Sequence, residues 1–95
     1  MQHLKIIVKG RVQGVGFRAF TLKSAKKHAI YGTVKNRADG AVEIIASAST
    51  QALENFIREC NKGPLFAKVT ELNTIELPSP LALFTDFKII DQSKQ

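Results

Sequence analysis

Nine residues near the start of the chain, GRVQGVGFR at positions 10–18, combine the features of a site for an oxygen anion. Gly10, Gly14 and Gly16 fall within seven positions, and Arg18 ends the stretch. Glycine permits backbone angles that other residues resist and lets a ligand approach the main chain. Successive N–H groups in such a turn can surround an anion, and a guanidinium group matches phosphate oxygens. The spacing indicates a phosphate-binding loop, although a plain strand-to-helix turn with a surface arginine would use the same residues.

The elements on either side of this loop follow from the spacing of apolar residues. Leu4, Ile6 and Val8 alternate with Lys5 and Lys9, which predicts a first strand with one buried face. Ile7 breaks the alternation and predicts partial cover of the second face. Residues 17–29 are expected to form a helix, with apolar side chains in one sector and lysines in the other. The loop therefore leads into a helix N-terminus, where free N–H groups and the helix dipole favour negative charge.

The rest of the chain has a turn or cap signal at each boundary, without a linker or a repeat. Asp39-Gly40 is a strong hairpin signal, Ser49 or Thr50 can cap a second helix, and Gly63 followed by proline can end it. Irregular apolar spacing in the fourth strand predicts a bulge there. The further elements are strands at 31–36 and 41–48, a helix to about Lys62, and strands at 67–77 and 84–90.

The order β-α-β-β-α-β, with a short fifth strand, is that of the ferredoxin-like split βαβ plan. This is an α+β fold with two helices on one face of an antiparallel sheet. Its first and second strands run in the same direction with the third between them, so their C-terminal ends share one edge. The glycine loop follows the first strand and Asn36 ends the second. The topology thus predicts that Arg18 and Asn36 lie at one edge, although Asn36 by itself would equally suit a turn.

Composition limits the class of protein. The 95 residues fit a single domain, 1–95, and 44% hydrophobic residues predict a folded chain. A lone cysteine, Cys60, permits no internal disulfide, and the apolar stretch at the N-terminus is too short for a signal sequence or a membrane span. A cytoplasmic location is therefore expected. The net charge of +6 favours anionic partners, either phosphorylated small molecules or nucleic acid, or serves solubility alone.

Two nucleotide-binding motifs match parts of the loop. Gly14, Gly16 and Ala19 satisfy G-x-G-x-x-G/A, but 95 residues cannot hold a complete dinucleotide-binding fold. An RNA-binding strand motif matches residues 13–20 in part and would have to lie in a strand, and the chain has no Trp and one Tyr for base stacking. His3 and His28 show no metal-site spacing. A small phosphorylated ligand remains favoured over nucleic acid or metal.

Two strings together, GRVQGVGFR at 10–18 and GTVKNRADGAVE at 32–43, resemble the acylphosphatase family. The similarity continues into KGPLFAKVTEL at 62–72 and the terminal FKII. The resemblance implies a ferredoxin-like fold. It also implies a hydrolase, without metal or cofactor, that converts acyl phosphates to a carboxylate and inorganic phosphate.

The resemblance further implies roles for individual residues. Arg18 would be the catalytic arginine and would bind the phosphate, and Asn36 would orient the attacking water. The rest of the phosphate cradle would be formed mainly by main-chain N–H groups, those of Gln13, Gly14, Val15, Gly16 and Phe17. The expected partners are a small acyl phosphate and inorganic phosphate, as product and inhibitor, with no nucleic acid and no membrane. The protein is expected to be a monomer.

The sequence departs from the family pattern at Thr33, where many members have Trp. The lost bulk could loosen the second strand or alter substrate preference. Two alternatives to an enzyme stay open. One is a catalytically silent module of the same fold that binds phosphate without turnover, and the other is a ferredoxin-like domain that binds nucleic acid.

Overall fold

The structure, a computed structural model, describes residues 1–90, which form a five-stranded sheet and two helices. The strands are β1 (Gln2–Arg11), β2 (Tyr31–Asn36), β3 (Val42–Ala48), β4 (Lys68–Leu77) and β5 (Phe87–Ile89), and the helices are α1 (Phe17–Lys27) and α2 (Thr50–Lys62). The strand order across the sheet is β4-β1-β3-β2-β5. β1 and β2 both pair antiparallel with β3 and therefore run in the same direction. The ferredoxin-like prediction is confirmed.

The core lies between one face of the sheet and both helices. Side chains alternate between the faces of a strand, and β1 contributes Leu4, Ile6 and Val8 to this core. Phe17, the first residue of α1, and Phe56 of α2 are fully buried against this face. Burial of a Phe side chain contributes about 1.5–3 kcal/mol. Packing of Phe17 thus fixes the first turn of α1, directly after the glycine loop.

The first helix ends earlier than the apolar pattern predicts. α1 stops at Lys27 rather than Ala29, because Ala29 has a positive φ of 57°. The N–H of Ile30 then bonds to the carbonyl oxygen of Ala25 at 2.9 Å and closes the helix end. Neither helix of the described residues is long and apolar enough to cross a bilayer.

The two outer strands refine the predicted sheet. β5 is shorter than the predicted strand at 84–90 and pairs parallel with β2, from Gly32–Phe87 to Val34–Ile89, so the sheet is not antiparallel throughout. The bulge expected in β4 is confirmed. The register between β1 and β4 shifts after Lys9, and Thr70 has no register partner.

One carboxylate joins the two helices on the outside of the core. Glu59 of α2 accepts hydrogen bonds from Ser24 (2.6 Å) and Lys27 (2.9 Å), and His28 lies 3.0 Å away through Nε2. These partners stabilise the charged form, the Ser24 hydroxyl most, and lower the pKa of Glu59 from 4.5 to about 2. The contact with Glu59 gives His28, the C-cap residue of α1, a structural partner.

The Glu59 cluster predicts acid sensitivity. Between pH 4.5 and about 2 the unfolded chain binds a proton at Glu59 that the folded chain does not, so stability from this group is lost as the pH falls through that range. Urea unfolding from pH 7 to pH 2.5 should therefore show a smaller acid-induced loss for Glu59→Gln than for wild type. Glu54→Gln, at an exposed position of α2, should follow wild type. Equal losses in all three proteins would contradict the role of Glu59.

Candidate active site

In the loop between β1 and the first turn of α1, the main-chain N–H groups of residues 14–18 donate no hydrogen bond to another backbone group of residues 1–90. Gly14 (φ 75°) and Gly16 (φ 80°) have left-handed backbone angles, which other residues adopt at a cost. Gly16 is the N-cap of α1, so no side chain of the described residues caps the helix, and its first turn carries no acid. In α2, by contrast, the Ser49 side chain accepts from the N–H of Ala52. The start of α1 is therefore available to an anion.

Arg18 is the second residue of α1 and is half-buried. Its guanidinium group forms no ion pair with any carboxylate of residues 1–90. Arg37 is different, because its guanidinium group lies 3.1 Å from Asp39 and 3.4 Å from Glu43. The donors of Arg18 thus remain available beside the free N–H groups of the loop.

Asn36 is the last residue of β2, and strand alternation puts its side chain on the same face as the fully buried Val34. The Oδ1 atom of Asn36 is buried and has no hydrogen-bond partner in the described part of the chain. An unsatisfied buried acceptor costs about 1–3 kcal/mol, which is unusual unless a water or ligand completes it. Thr33, where the resemblance led us to expect Trp, lies on the opposite face of β2 from Asn36.

The loop, the arginine and the asparagine meet in one pocket of about 230 Å³. Pockets for drug-sized ligands run to about 300–1,000 Å³, so this one suits a smaller molecule. Among residues 1–90 no acidic side chain lines it, which favours an anionic ligand. The pocket is lined by five of the predicted site residues, which are Gly14, Gly16, Phe17, Arg18 and Asn36. Three residues that were not predicted also line it, and these are Val12, Ala19 and Ile89.

Two predicted members of the phosphate cradle do not line the pocket. Val15 is half-buried and packs against the core. The side-chain amide of Gln13 donates instead to the carbonyl oxygens of Arg37, at 2.8 Å, and Ala41, at 2.9 Å. Main-chain contacts of Gln13 and Val15 with phosphate stay a prediction.

Ile89 and Ala19 line the pocket but were not predicted from the sequence, because their positions depend on how the strands pair and where α1 begins. Ile89 reaches the pocket because β5 adds parallel to β2 and places Ile89 beside Val34. Its alternation with buried Phe87 was the available signal, since residues two apart share a face of a strand. Ala19 directly follows Arg18 in the first turn of α1, where the free N–H groups also lie.

Other reactive side chains have structural roles. Cys60 is fully buried as a small core residue, and burial raises its pKa to about 12. Asp39 accepts from the N–H of Ala41 at 3.0 Å, as a turn residue does, and this bond lowers the pKa of Asp39. Within residues 1–90 no three His, Cys, Asp or Glu side chains form a group that could hold a metal ion. Within residues 1–90 the site is thus a small pocket without acidic lining at one edge of a ferredoxin-like sheet.

Comparison with known proteins identifies this class more closely. The model of the acylphosphatase family matches residues 4–89. An acylphosphatase of Bacillus licheniformis is 45% identical over 89 residues, which cover 94% of this chain and 98% of the relative. The crystal structure of acylphosphatase from Bacillus subtilis superposes with a TM-score of 0.90 at 43% identity, covering 95% and 99% of the two chains. For an acylphosphatase from Coxiella burnetii the TM-score is 0.86 at 29% identity, covering 94% and 92%.

The chain therefore belongs to the acylphosphatase family. The hydrolase function and the small acyl phosphate substrate that the resemblance implied are the properties of this family.

The loop geometry predicts how Gly16 tolerates a side chain. Gly16→Ala should retain the fold, since the added methyl group meets no atom within 4 Å. It should lower the free energy of unfolding by about 1–2 kcal/mol, because alanine resists the left-handed conformation. At Gly32 the same change would overlap the carbonyl oxygen of Ile45 and should cost far more. Urea unfolding would contradict this description if Gly16→Ala cost nothing or as much as Gly32→Ala.

Proposed function

We propose that this chain hydrolyses the carboxyl–phosphate bond of acyl phosphates by attack of water on phosphorus, without a metal ion or other cofactor. The observation that carries the proposal is the convergence of three groups in one pocket: the uncapped start of α1, Arg18, and the unpartnered Oδ1 of Asn36. The first two suit a phosphoryl group, and the third suits a water molecule. These are the two reactants of the hydrolysis.

The phosphoryl group is held by main-chain N–H groups of residues 13–17 and by the guanidinium group of Arg18. In phosphoryl transfer, negative charge is spread over the equatorial oxygens in the transition state. Donors already fixed around those oxygens stabilise that charge without reorganising during the reaction. The left-handed glycines and the buried Phe17 keep these donors fixed.

Asn36 orients the nucleophile. The water donates a hydrogen bond to Oδ1 of Asn36 and presents a lone pair to phosphorus, opposite the acyl oxygen. A bond forms between the water oxygen and phosphorus, the bond from phosphorus to the acyl oxygen breaks, and its electron pair leaves with the carboxylate. The proton of the water passes to an oxygen of the transferred phosphate. A carboxylate is a good leaving group, so no general acid is needed.

The proposal extends to the protein as a whole. Residues 1–95 act as one domain and as a monomer in the cytoplasm, where the free thiol of Cys60 suits a reducing compartment. Inorganic phosphate competes with substrate, because product and substrate share the phosphoryl position. Nucleic acid has no part in the reaction.

Asn36→Ala tests the positioning of water. The variant should bind inorganic phosphate as wild type does, because Arg18 and the loop are unchanged. Its kcat should fall by about 10²–10³-fold, the range for loss of one positioned polar group in an active site. Steady-state kinetics with phosphate inhibition measure both effects, and Asn61→Ala, at an exposed position of α2, is the control. A normal kcat for Asn36→Ala would remove this role.

Arg18→Gln tests the phosphate anchor. The change removes the charged donors, so phosphate inhibition should weaken by at least about tenfold, since bonds to charged groups contribute about 1.5–3 kcal/mol. The kcat should also fall by about 10²-fold or more. Arg58→Gln is a matched control, because Arg58 is exposed on α2 and bonds to Asn55. Unchanged phosphate inhibition in Arg18→Gln would show that the anchor lies elsewhere.

A further inference from the structure

The two halves of the pocket follow strands β1 and β2, which are not hydrogen-bonded neighbours in the sheet. β3 separates β1 from β2, and at about 4.8 Å per strand spacing the two lie roughly 10 Å apart. The pairing of β3 with both neighbours ends at Val42, which is opposite Val8 on one side and Asn36 on the other. Beyond Val42 no ladder with β3 connects the end of β1, which carries the phosphate loop, to the end of β2, which carries Asn36.

The side chain of Gln13 crosses this gap. Gln13 immediately precedes the glycine turn, and its Nε2 donates to the carbonyl oxygens of Arg37 and Ala41, which are 24 and 28 residues away. A side-chain amide has two N–H donors, so both are used in this contact. The amide is partly buried, which reduces competition from water.

The turn that Gln13 contacts is closed by its own hydrogen bonds and directly follows Asn36. The N–H of Arg37 bonds to the carbonyl oxygen of Ala41 at 2.8 Å, and the N–H of Gly40 bonds to that of Arg37 at 3.2 Å. Arg37 follows Asn36 directly in the chain. Gln13 thus donates to the carbonyl groups of Arg37 and Ala41, the same two that accept the hydrogen bonds within the turn.

We propose that Gln13 is a positioning residue that holds the phosphate loop and Asn36 at the separation the reaction needs. The inference rests on the proposed function, in which the loop binds the phosphoryl group and Asn36 orients the water. In-line attack depends on the distance between those two groups, and a displacement of 1 Å can cost about 10²-fold in rate. The Gln13 side chain acts through Asn36 and does not itself contact substrate.

Kinetics of Gln13→Met give the first test, since methionine has similar length and no N–H donors. We expect kcat to fall about 10- to 100-fold, while the inhibition constant for inorganic phosphate changes less than about threefold. Adding the change to Asn36→Ala should cause little further loss, because residues acting as a unit are not additive. Ser49→Ala, which weakens the cap of α2, is the control for lost stability and should keep wild-type kcat. A normal kcat, or equal proportional losses of kcat and phosphate affinity, would overturn the proposal.

Gln13→Glu adds a readout that a general loss of stability would not give. An ionised carboxylate would face two carbonyl oxygens and could donate to neither, so kcat at pH 7 should be low. Below its pKa the introduced carboxyl group can donate one hydrogen bond. The ratio of variant to wild-type kcat should therefore rise from pH 7 to pH 5, and a flat ratio would count against the proposal.

Phosphate titration followed by NMR tests the link without turnover. In wild type, inorganic phosphate should shift the main-chain amide signals of residues 14–18 and also the side-chain amide signals of Asn36. In Gln13→Met the loop signals should still respond, while the response of Asn36 is lost. A wild-type response of Asn36 in the variant would overturn the positioning role. If wild type binds phosphate but hydrolyses nothing, the proposed function fails, and this titration still decides the role of Gln13.

Discussion

The site depends on a helix that begins without a cap. The first N–H groups of any helix have no partner within it and must be satisfied by a side chain, by water or by a ligand. In α2 the Ser49 side chain caps the helix, whereas α1 begins at Gly16, which has a left-handed conformation and no side chain that could cap it. Packing stabilises the uncapped start of α1, because Phe17, the first residue of the helix, is buried in the core. Packing of the core thus holds the first turn of α1 in place while its N–H groups stay available to an anion.

The order of the strands determines what faces those donors. Because β1 and β2 are parallel and flank β3, the end of β2 brings the unpartnered oxygen of Asn36 to the edge where α1 begins. The absence of carboxylates from the lining in residues 1–90 keeps the pocket favourable for an anion. Acidic side chains nearby have other partners, as the contacts of Asp39 and Glu43 with Arg37 illustrate. Under the proposed function, this one edge of a small sheet binds both the phosphoryl group and the attacking water.

The parts of the fold that could be predicted from the sequence are those with local signals. The glycine loop, the hairpin at Asp39-Gly40 and the ends of α2 each have such a signal within a few residues. The early end of α1 could not be predicted from the sequence, because Ala29 adopts a positive φ that alanine disfavours. The parallel pairing of β5 was also missed, since strand direction depends on contacts between residues more than fifty positions apart.

The same distinction holds for the site. The meeting of Arg18 and Asn36 in one pocket was predicted because their backbone positions follow from the topology and the family resemblance. The role of the Gln13 side chain was not, because its two bonds reach 24 and 28 residues along the chain and nothing local indicates their direction. Ile89 was missed for a related reason, as its place in the pocket depends on the pairing of β5 with β2.

The most direct test of the central claim is the hydrolysis of benzoyl phosphate by the wild-type protein with EDTA present. Saturable turnover, inhibited competitively by inorganic phosphate, is the predicted result, since the loop and Arg18 supply the positive charge that a metal ion would otherwise provide. Absence of turnover, with phosphate binding to the loop intact, would contradict the claim and identify the pocket as an anion site without catalysis.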